Sequence, residues 1–302
     1  MPAAKSKPAD KGLCFPKDPK GSRSTSTAGK NIIAAALRGA KTAEGDKFAA
    51  LCEKEKNWRF GYNKHFKNLV KVSASSPDAA LGVARAGTEF MHSAFDFVDP
   101  KTGSESNFFS YMTRASEAGS FETGVINGTG EKGGKLLTVP YKGAPLAGNV
   151  LKAQLERWAN YGTIEADAAL SMSQLANGKL DLNGQYFVLI GAGSAMGPFL
   201  KLLEHGATVV CIDIPGAWGD RPQGMWKRLI ETARASPGSI IFPLGKKQSA
   251  CKTDQDLFAA AGSNLTEQPA QLVNWLASVA PGQRLTVGNY TYLDGDLHVK
   301  LS

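Results

Sequence analysis

Hydrophobic positions in the second half of the chain alternate between two spacings. Runs of apolar and β-branched residues predict strands at 187–190, 208–212 and 239–244, and residues 284–292 are predicted as a fourth strand. Apolar residues spaced three and four positions apart predict helices, and these segments are 224–235, 254–262 and 268–280. Because strands and helices alternate, we expect an α/β fold built on a parallel sheet of about four strands.

The first half of the chain is predicted to be mainly helical. Ser76 is typical of a helix N-cap because a proline follows it. Residues 99–135 are rich in Gly, Ser, Thr and Asn and predict loops. Gly143–Pro145 is predicted to open a helix that Gly162 closes, and Thr163 is predicted to cap the next one.

Composition divides the chain into three predicted regions. Residues 1–30 contain few apolar and many basic side chains, and we expect a disordered basic tail. We expect residues 31–180 to form a mainly helical region, a candidate for substrate or oligomer contacts, and residues 181–302 to form the α/β domain. At the end of the chain, Asp294 and Gly295 predict a hairpin turn, so residues 297–301 are expected to return as an antiparallel strand.

The segment Gln185–Pro215 combines a strand, a glycine turn, a helix and a second strand that ends in an acid. Gly191 permits a tight turn, and Gly193 lets backbone amides approach a phosphate. The helix that follows directs its free N–H groups toward the same phosphates. Asp213 stands 22 residues after Gly191, where a carboxylate can accept both hydroxyls of an adenosine ribose. The pattern predicts an adenosine-containing ligand, although the same glycines are also compatible with close helix packing alone.

On these residues the chain resembles the NAD(P)-binding Rossmann superfamily, in the style of the short-chain dehydrogenases and reductases, over residues 184–293. The resemblance implies a Rossmann-like domain and an oxidoreductase that transfers a hydride to or from a carbonyl or alcohol of unknown identity. The cofactor is NAD or NADP, and Asp213 favours NAD because a carboxylate repels a 2′-phosphate; Arg221 could reverse that preference. The cofactor-binding residues it implies are Gly191, Gly193, Ser194, Ala195, Met196, Gly197, Asp213, Ile214 and Asn289.

The sequence also departs from this family. The third glycine of the turn falls at Gly197, one place later than in G-x-G-x-x-G. No tyrosine is followed four places later by a lysine, so the family's acid and base pair has no counterpart and the catalytic residues stay unknown. Three alternatives follow: the chain is part of a longer enzyme, it is a non-catalytic nucleotide-binding or scaffold protein, or it is an S-adenosylmethionine-dependent methyltransferase. The last is weakened because Leu189 and Ile190 stand where methyltransferases usually carry an acid.

The rest of the sequence predicts no metal site, disulfide framework or membrane segment. The four cysteines and four histidines are scattered, and no metal site or disulfide framework is predicted. His205 is assigned to the end of a helix, with Gly206 as its C′ residue. The chain lacks an apolar signal region and any run long enough to cross a bilayer, so we expect a cytoplasmic protein with no membrane contact, organelle targeting being left open. The partners expected are a dinucleotide and a small substrate, and a homo-oligomer is left open.

The positive charge of the chain is concentrated near its start. Residues 1–72 hold sixteen Lys and Arg against six Asp and Glu, whereas the rest of the chain has a net charge of −2 within a total of +8. Between 58 and 67, aromatic residues interleave with basic ones in a pattern that could support base stacking. We interpret these aromatics as core residues and the charge as a solvated face, which argues against a nucleic-acid partner.

Overall fold

The computed structural model describes residues 10–217, 220–292 and 295–301. The chain divides into two compact units. The first comprises Met1–Gly119, Leu265–Val273 and Leu293–Ser302, and the second comprises Ser120–Asn264 and Asn274–Tyr292. The predicted domain boundary near residue 180 therefore lies inside the second unit rather than between the two.

The first unit combines a bundle of helices with a small sheet. In chain order its elements are β1 (Gly12–Cys14), α1 (Thr25–Gly39), α2 (Ala43–Glu53), α3 (Trp58–Ser73), α4 (Pro77–Ala94), β2 (Asp96–Val98), β3 (Glu105–Asn107), α5 (Phe108–Met112), a 3-10 turn (Ala115–Ala118) and α12 (Asp296–Leu301). Strands β1, β2 and β3 pair antiparallel in that order. Apolar side chains of α1 to α4 enclose a core that includes Leu37, Ala49, Cys52 and Val72.

Local signals account for the ends of these helices. Ser76 caps α4 as predicted, because its side chain accepts a hydrogen bond from the Ala79 N–H at 3.1 Å and Pro77 fills the first helical position. Ser24 and Thr42 cap α1 and α2 in the same way. These caps satisfy N–H groups that the first turn of a helix leaves without partners.

The predicted disorder of residues 1–30 is wrong for the described part of that segment. Residues 12–14 form β1, and α1 begins at Thr25. The reason is tertiary: the Arg23 guanidinium pairs with Asp10 at 2.7 Å and with Asp96 at 2.6 Å. Phe15 packs on Phe95 with ring centroids 5.1 Å apart. These distant partners compensate for the low apolar content that made the segment look disordered, whereas residues 1–9 lie outside the described ranges.

The predicted antiparallel strand at 297–301 is also wrong. Asp296–Leu301 forms α12, in which Lys300 lies 3.6 Å from Asp296 one turn earlier. The Lys300 ammonium also lies 5.7 Å from the centre of the Phe15 ring. Asp294, half of the predicted hairpin turn, lies outside the described residues.

The second unit contains the large sheet and the helices around it. In chain order its elements are β4 (Glu122–Asn127), β5 (Lys135–Leu136), β6 (Val139–Tyr141), β7 (Ala144–Leu146), α6 (Gly148–Tyr161), α7 (Ala166–Leu175), β8 (Lys179–Leu180), β9 (Tyr186–Ile190), α8 (Phe199–Glu204), β10 (Thr208–Ile212), α9 (Asp220–Ala235), β11 (Ser239–Leu244), a 3-10 turn (Gln248–Ala250), α10 (Asp254–Ala260), α11 (Pro269–Val279) and β12 (Leu285–Asn289). The partition assigns α11 to the first unit up to Val273 and to the second from Asn274.

The fold is α/β, and its main sheet has the strand order β12-β9-β10-β11-β4. The pairs β12 with β9, β9 with β10, and β10 with β11 are parallel, as predicted. The sheet as a whole is mixed, because β4 pairs antiparallel with β11. Side chains of α8, α9 and the strands form one core, in which Trp226 and Phe242 pack with ring centroids 5.4 Å apart.

The sequence misplaced several elements between 99 and 165. Residues 99–135 are not all loops, because β3, α5, β4 and the first residue of β5 lie within them. Gly143–Pro145 does not open a helix: Gly143 lies in the turn between β6 and β7, and Ala144 and Pro145 belong to β7, which pairs antiparallel with β6. Helix α6 begins at Gly148 instead and ends as predicted at Gly162, whose φ is +81°. The N-cap of α7 is Glu165 rather than Thr163. No helix in the described ranges is both long and apolar enough to cross a bilayer.

Candidate functional site

The candidate site lies where three neighbouring parallel strands end. Gly191 follows β9, Asp213 follows β10 and Tyr290 follows β12. The register places Ile190 opposite both Ile212 and Asn289, so the three strands end at the same level. The strand pairing therefore brings the predicted glycine turn, the predicted acid and Asn289 to one edge of the sheet.

Gly191 makes the tight turn that its sequence position predicts. Its φ is +84°, in the left-handed region that favours glycine. A side chain is also excluded by space, since a Cβ at this position would lie 2.9 Å from the carbonyl oxygen of Tyr290. The Gly191 N–H donates to the Ile212 carbonyl at 2.8 Å, which fixes the start of the turn between β9 and β10.

Both backbone polar groups of Gly193 form hydrogen bonds with side chains. Its N–H donates to Oδ2 of Asp213 at 2.7 Å, and its carbonyl accepts a hydrogen bond from Nη2 of Arg228 at 2.7 Å. A Cβ at Gly193 would lie 2.4 Å from the sulfur of Met225 and 3.2 Å from Oδ2 of Asp213. The amide that the sequence assigns to a phosphate thus binds the carboxylate at the end of the neighbouring strand.

The Asp213 carboxylate is oriented by backbone groups. Besides the Gly193 contact, Oδ1 accepts the N–H of Ile214 at 2.8 Å. Partial burial raises the pKa of Asp213, against the lowering effects of these two N–H groups and of the Arg228 charge. A carboxylate offers about four lone-pair positions. Two acceptor positions therefore stay open for further donors such as hydroxyl groups.

The rest of the turn is a pair of successive backbone turns. Ser194 N–H donates to the Gly191 carbonyl at 3.0 Å, and Gly197 N–H donates to the Ser194 carbonyl at 3.1 Å. Met196 is 82% exposed. Among the described residues the Ala195 N–H has no hydrogen-bond partner, so it is the backbone donor of the turn that is open to a ligand.

Helix α8, which follows the turn, is too short to contribute strongly to phosphate binding. Helix α8 has six residues and no side-chain N-cap, and Pro198 separates it from the turn. A macrodipole sums over aligned peptide units, so six residues give a weaker positive end than a full-length helix. The Ala195 N–H of the turn, rather than the helix dipole, is therefore the main feature for an anion here.

Asn289 is at the predicted edge, but its side chain is engaged locally. Its Oδ1 accepts hydrogen bonds from the N–H of Thr291 at 3.0 Å and from the Thr291 hydroxyl at 2.7 Å. The next residue, Tyr290, lies closer to the turn: its Cγ would be 3.5 Å from a Cβ at Gly197. No role for Tyr290 is predicted from the sequence, although its place directly after a parallel strand is a usable signal for this edge.

Three other residues at this edge come from segments that carry no recognisable sequence motif. Met225 and Arg228 reach the turn from α9. Ser263, which is 1% exposed, donates its N–H to the Asp213 carbonyl at 2.9 Å. The Ser263 hydroxyl has no hydrogen-bond partner among the described residues. Arg221 belongs to α9, but its side chain lies outside what the structure describes.

The other reactive side chains of the second unit, Cys211 and His205, have structural roles. Burial raises the pKa of the Cys211 thiol, which disfavours a reactive thiolate. His205 ends α8 as predicted, with Gly206 at φ +86° and Nδ1 3.0 Å from the Leu180 carbonyl oxygen. It borders a small cavity of about 40 Å³ near the amino ends of the strands. The described ranges contain no cluster of three or more His, Cys, Asp or Glu suited to a metal ion.

Comparisons with protein-family models, with curated proteins and with solved structures found no match for this chain. The geometry at the carboxyl edge of the sheet is therefore the basis for assigning a function.

Proposed function

We propose that the carboxyl edge of the main sheet binds the adenosine half of NAD or NADP and that the protein is an NAD(P)-dependent oxidoreductase. The main support for this proposal is Asp213. The Gly193 and Ile214 amides orient its carboxylate, and about two of its acceptor positions have no donor among these contacts. Its place after the second parallel strand, beside a glycine turn after the first, is the Rossmann-like arrangement. The strand order β12-β9-β10-β11 supports the same proposal, because strands four, one, two and three of a Rossmann sheet lie side by side in that order.

In this proposal each part of the site has a separate task. Asp213 accepts the two ribose hydroxyls, and the Ala195 N–H donates to the pyrophosphate. Tyr290 and Asn289 form the side of the site at the end of β12. Gly193 keeps the carboxylate in place rather than contacting phosphate itself, because its N–H is used by Asp213.

The charges at the site favour NAD over NADP. The Asp213 carboxylate repels a 2′-phosphate at the ribose position that it recognises. Arg228 donates a hydrogen bond to the Gly193 carbonyl, and its positive charge lowers the pKa of Asp213. It therefore places a cation close to this carboxylate. We expect Arg228 to reduce the penalty for NADP without abolishing it.

Thermal unfolding with added ligands tests the proposal. Saturating NADH is expected to raise the melting temperature, NADPH to raise it less, and S-adenosylmethionine to leave it unchanged. The variant Asp213→Asn should lose most of the NADH effect, because an amide keeps the shape but cannot accept the same set of donors. Asp181→Asn is the matched control, since Asp181 also accepts a backbone N–H, from Asn183 at 2.9 Å, near the opposite edge of the sheet.

The same measurements separate the alternatives. Stabilisation by S-adenosylmethionine and not by NADH would assign the site to a methyltransferase. Stabilisation by NADH without hydride transfer to any tested carbonyl or alcohol would favour a non-catalytic nucleotide-binding protein. Failure of every adenosine ligand to bind would contradict the proposal, and the glycines would then serve packing alone.

A further inference from the structure

Helix α3 of the first unit presents aromatic side chains to solvent. Phe60 is 75% exposed, Tyr62 47% and Phe66 46%, and Val70 is 65% exposed on the same helix. The interpretation of the aromatics at 60, 62 and 66 as core residues is therefore wrong. Only Trp58 is half-buried, because it stacks on the buried His65 ring with centroids 5.9 Å apart. Single exposed apolar residues are ordinary, but several on one helix indicate an interaction surface.

These side chains form a row along the helix. Trp58, Tyr62, Phe66 and Val70 follow one another at intervals of four residues, which is about 6 Å of helix rise per step. The first three rings are in contact along the row: Trp58 and Tyr62 have centroids 6.4 Å apart, and Tyr62 and Phe66 6.1 Å. We call this the aromatic row.

A second row, one residue further along the chain, is basic. It consists of Arg59, Asn63, Lys67 and Lys71, and all four are exposed. Lys71 pairs with Glu44 at 2.6 Å. Arg59 and Lys67 form no ion pair with any described residue, so their charges are available to an external anion. We call this the basic row.

The arrangement fits a single-stranded polynucleotide better than a bilayer. An interfacial helix needs one continuous apolar face. On α3 the basic row lies between the aromatic row and Phe60, since one residue step turns the helix by about 100°. Single-stranded nucleic acids are bound by aromatic rings that stack on bases beside cations that contact the phosphates. The excess of ten positive charges in residues 1–72 adds long-range attraction for a polyanion.

We propose that the exposed face of α3 binds single-stranded nucleic acid without sequence preference, with bases on the aromatic row and phosphates on the basic row. The surface is separate from the proposed nucleotide site, and the proposal stands whether or not the protein uses NAD.

Fluorescence anisotropy with the full chain tests this proposal. The probe is a fluorescein-labelled oligothymidylate of about 15 nucleotides, which stacks and carries phosphates without pairing to itself. The wild-type protein should bind it, and Tyr62→Ala and Phe66→Ala should each weaken binding by roughly five-fold or more. Lys67→Gln should lower the slope of log affinity against log salt concentration by about 0.7, the value for one lost phosphate contact.

Matched controls come from the second unit. Tyr161→Ala removes a ring that is 88% exposed on α6, and Lys179→Gln removes an exposed cation on β8. Neither should change binding. Circular dichroism melting of every variant checks that the fold is retained, which is expected because the substituted side chains are exposed.

Four results would overturn the proposal. The first is no binding of the oligothymidylate at low salt, and the second is an equal loss of binding in the control variants. The third is binding of phosphatidylserine vesicles, but not of the oligonucleotide, with the same dependence on Phe66, which would assign the face to a lipid surface. Self-association that disappears in Phe66→Ala without oligonucleotide binding would likewise assign it to a second copy of the chain.

Discussion

At the residue scale, the candidate site depends on two glycines, Gly191 and Gly193, that differ in what they require of the side chain. Gly191 combines a φ of +84° with backbone atoms of Tyr290 2.9 Å from an added Cβ, whereas an added Cβ at Gly193 would meet the flexible side chain of Met225 at 2.4 Å. The first requirement is conformational and steric, and the second is steric only. Substitutions should therefore separate the role of each glycine in the fold from its role in ligand binding.

Gly191→Ala is expected to destabilise the protein more than Gly184→Ala. Both glycines have positive φ, +84° and +78°, which costs a side chain about 1–2 kcal/mol. Gly184 has nothing within 4 Å of an added Cβ, while at Gly191 the Cβ would lie 2.9 Å from backbone atoms. Chemical denaturation measures both free energies of unfolding. Equal losses would mean that the turn moves away from Tyr290 at no cost.

A titratable contact in the first unit predicts a pH dependence. Lys64, the N–H of Asn57 and His65 lower the pKa of Glu55 to about 2 from an ordinary value of 4.5. Because the folded-state pKa is the lower one, the stabilisation is complete above pH 4.5 and is lost as the pH falls toward 2. Glu55→Gln should therefore melt below the wild type at neutral pH, and the difference should shrink through this window. A difference that is independent of pH would contradict this assignment.

At the element scale, helices α1 and α4 cross at two glycines. A Cβ on Gly39 would lie 2.2 Å from the Gly82 carbonyl oxygen, and a Cβ on Gly82 would lie 2.2 Å from the Gly39 carbonyl oxygen. Ala86 also lies at this crossing, 2.5 Å from a Cβ on Gly39. The backbones are in direct contact, so the crossing has no space that a side chain could use.

Gly82→Ala should lower the free energy of unfolding by roughly 1–3 kcal/mol, the usual cost of overpacking, although alanine is the better helix former. Gly224→Ala is the matched control, because Gly224 lies in α9 with nothing within 4 Å of an added Cβ. That substitution should stabilise the protein by up to about 1 kcal/mol. Stabilisation by both changes would show that the crossing relaxes without penalty.

The elements that could be predicted from sequence are those with their own complete signal. Strand β11 was predicted with the bounds Ser239–Leu244 because it is apolar along its length. Strand β4 was missed because Gly124 and Asn127 are poor strand formers, and its six residues become a strand only by pairing with β11. Helix α12 is predicted as a strand because Asp294 and Gly295 are typical of a hairpin turn, but Asp296–Leu301 forms a helix instead.

Some residues of the candidate site could likewise be predicted from the sequence, and others could not. The turn at Gly191 and the edge position of Asp213 were predictable, since a strand, a turn and a second strand lie close together in the sequence. Arg228 and Ser263 reach Asp213 from remote segments, and no spacing rule locates them. That Asp213 bonds the Gly193 amide was also not predictable, because it depends on the register between two strands.

At the scale of the whole molecule, the chain carries two compact units with separate cores. Leu37 is fully buried among α1 to α4, and Leu229 is fully buried in the core beside the main sheet. Units with their own cores open by local unfolding that is specific to each. The two proposed ligand surfaces lie in different units, since α3 belongs to the first and Asp213 to the second.

Core truncations should therefore act on one unit at a time. Leu37→Ala and Leu229→Ala are each expected to cost about 2–5 kcal/mol in the unit that contains the leucine, through lost burial and a cavity. Hydrogen exchange read by mass spectrometry should show faster exchange in α1 to α4 for Leu37→Ala, with β9 to β11 unchanged. Leu229→Ala is the reciprocal control and should give the opposite pattern. Faster exchange throughout the chain in both variants would contradict separate units, because a single cooperative structure loses protection everywhere when its stability falls.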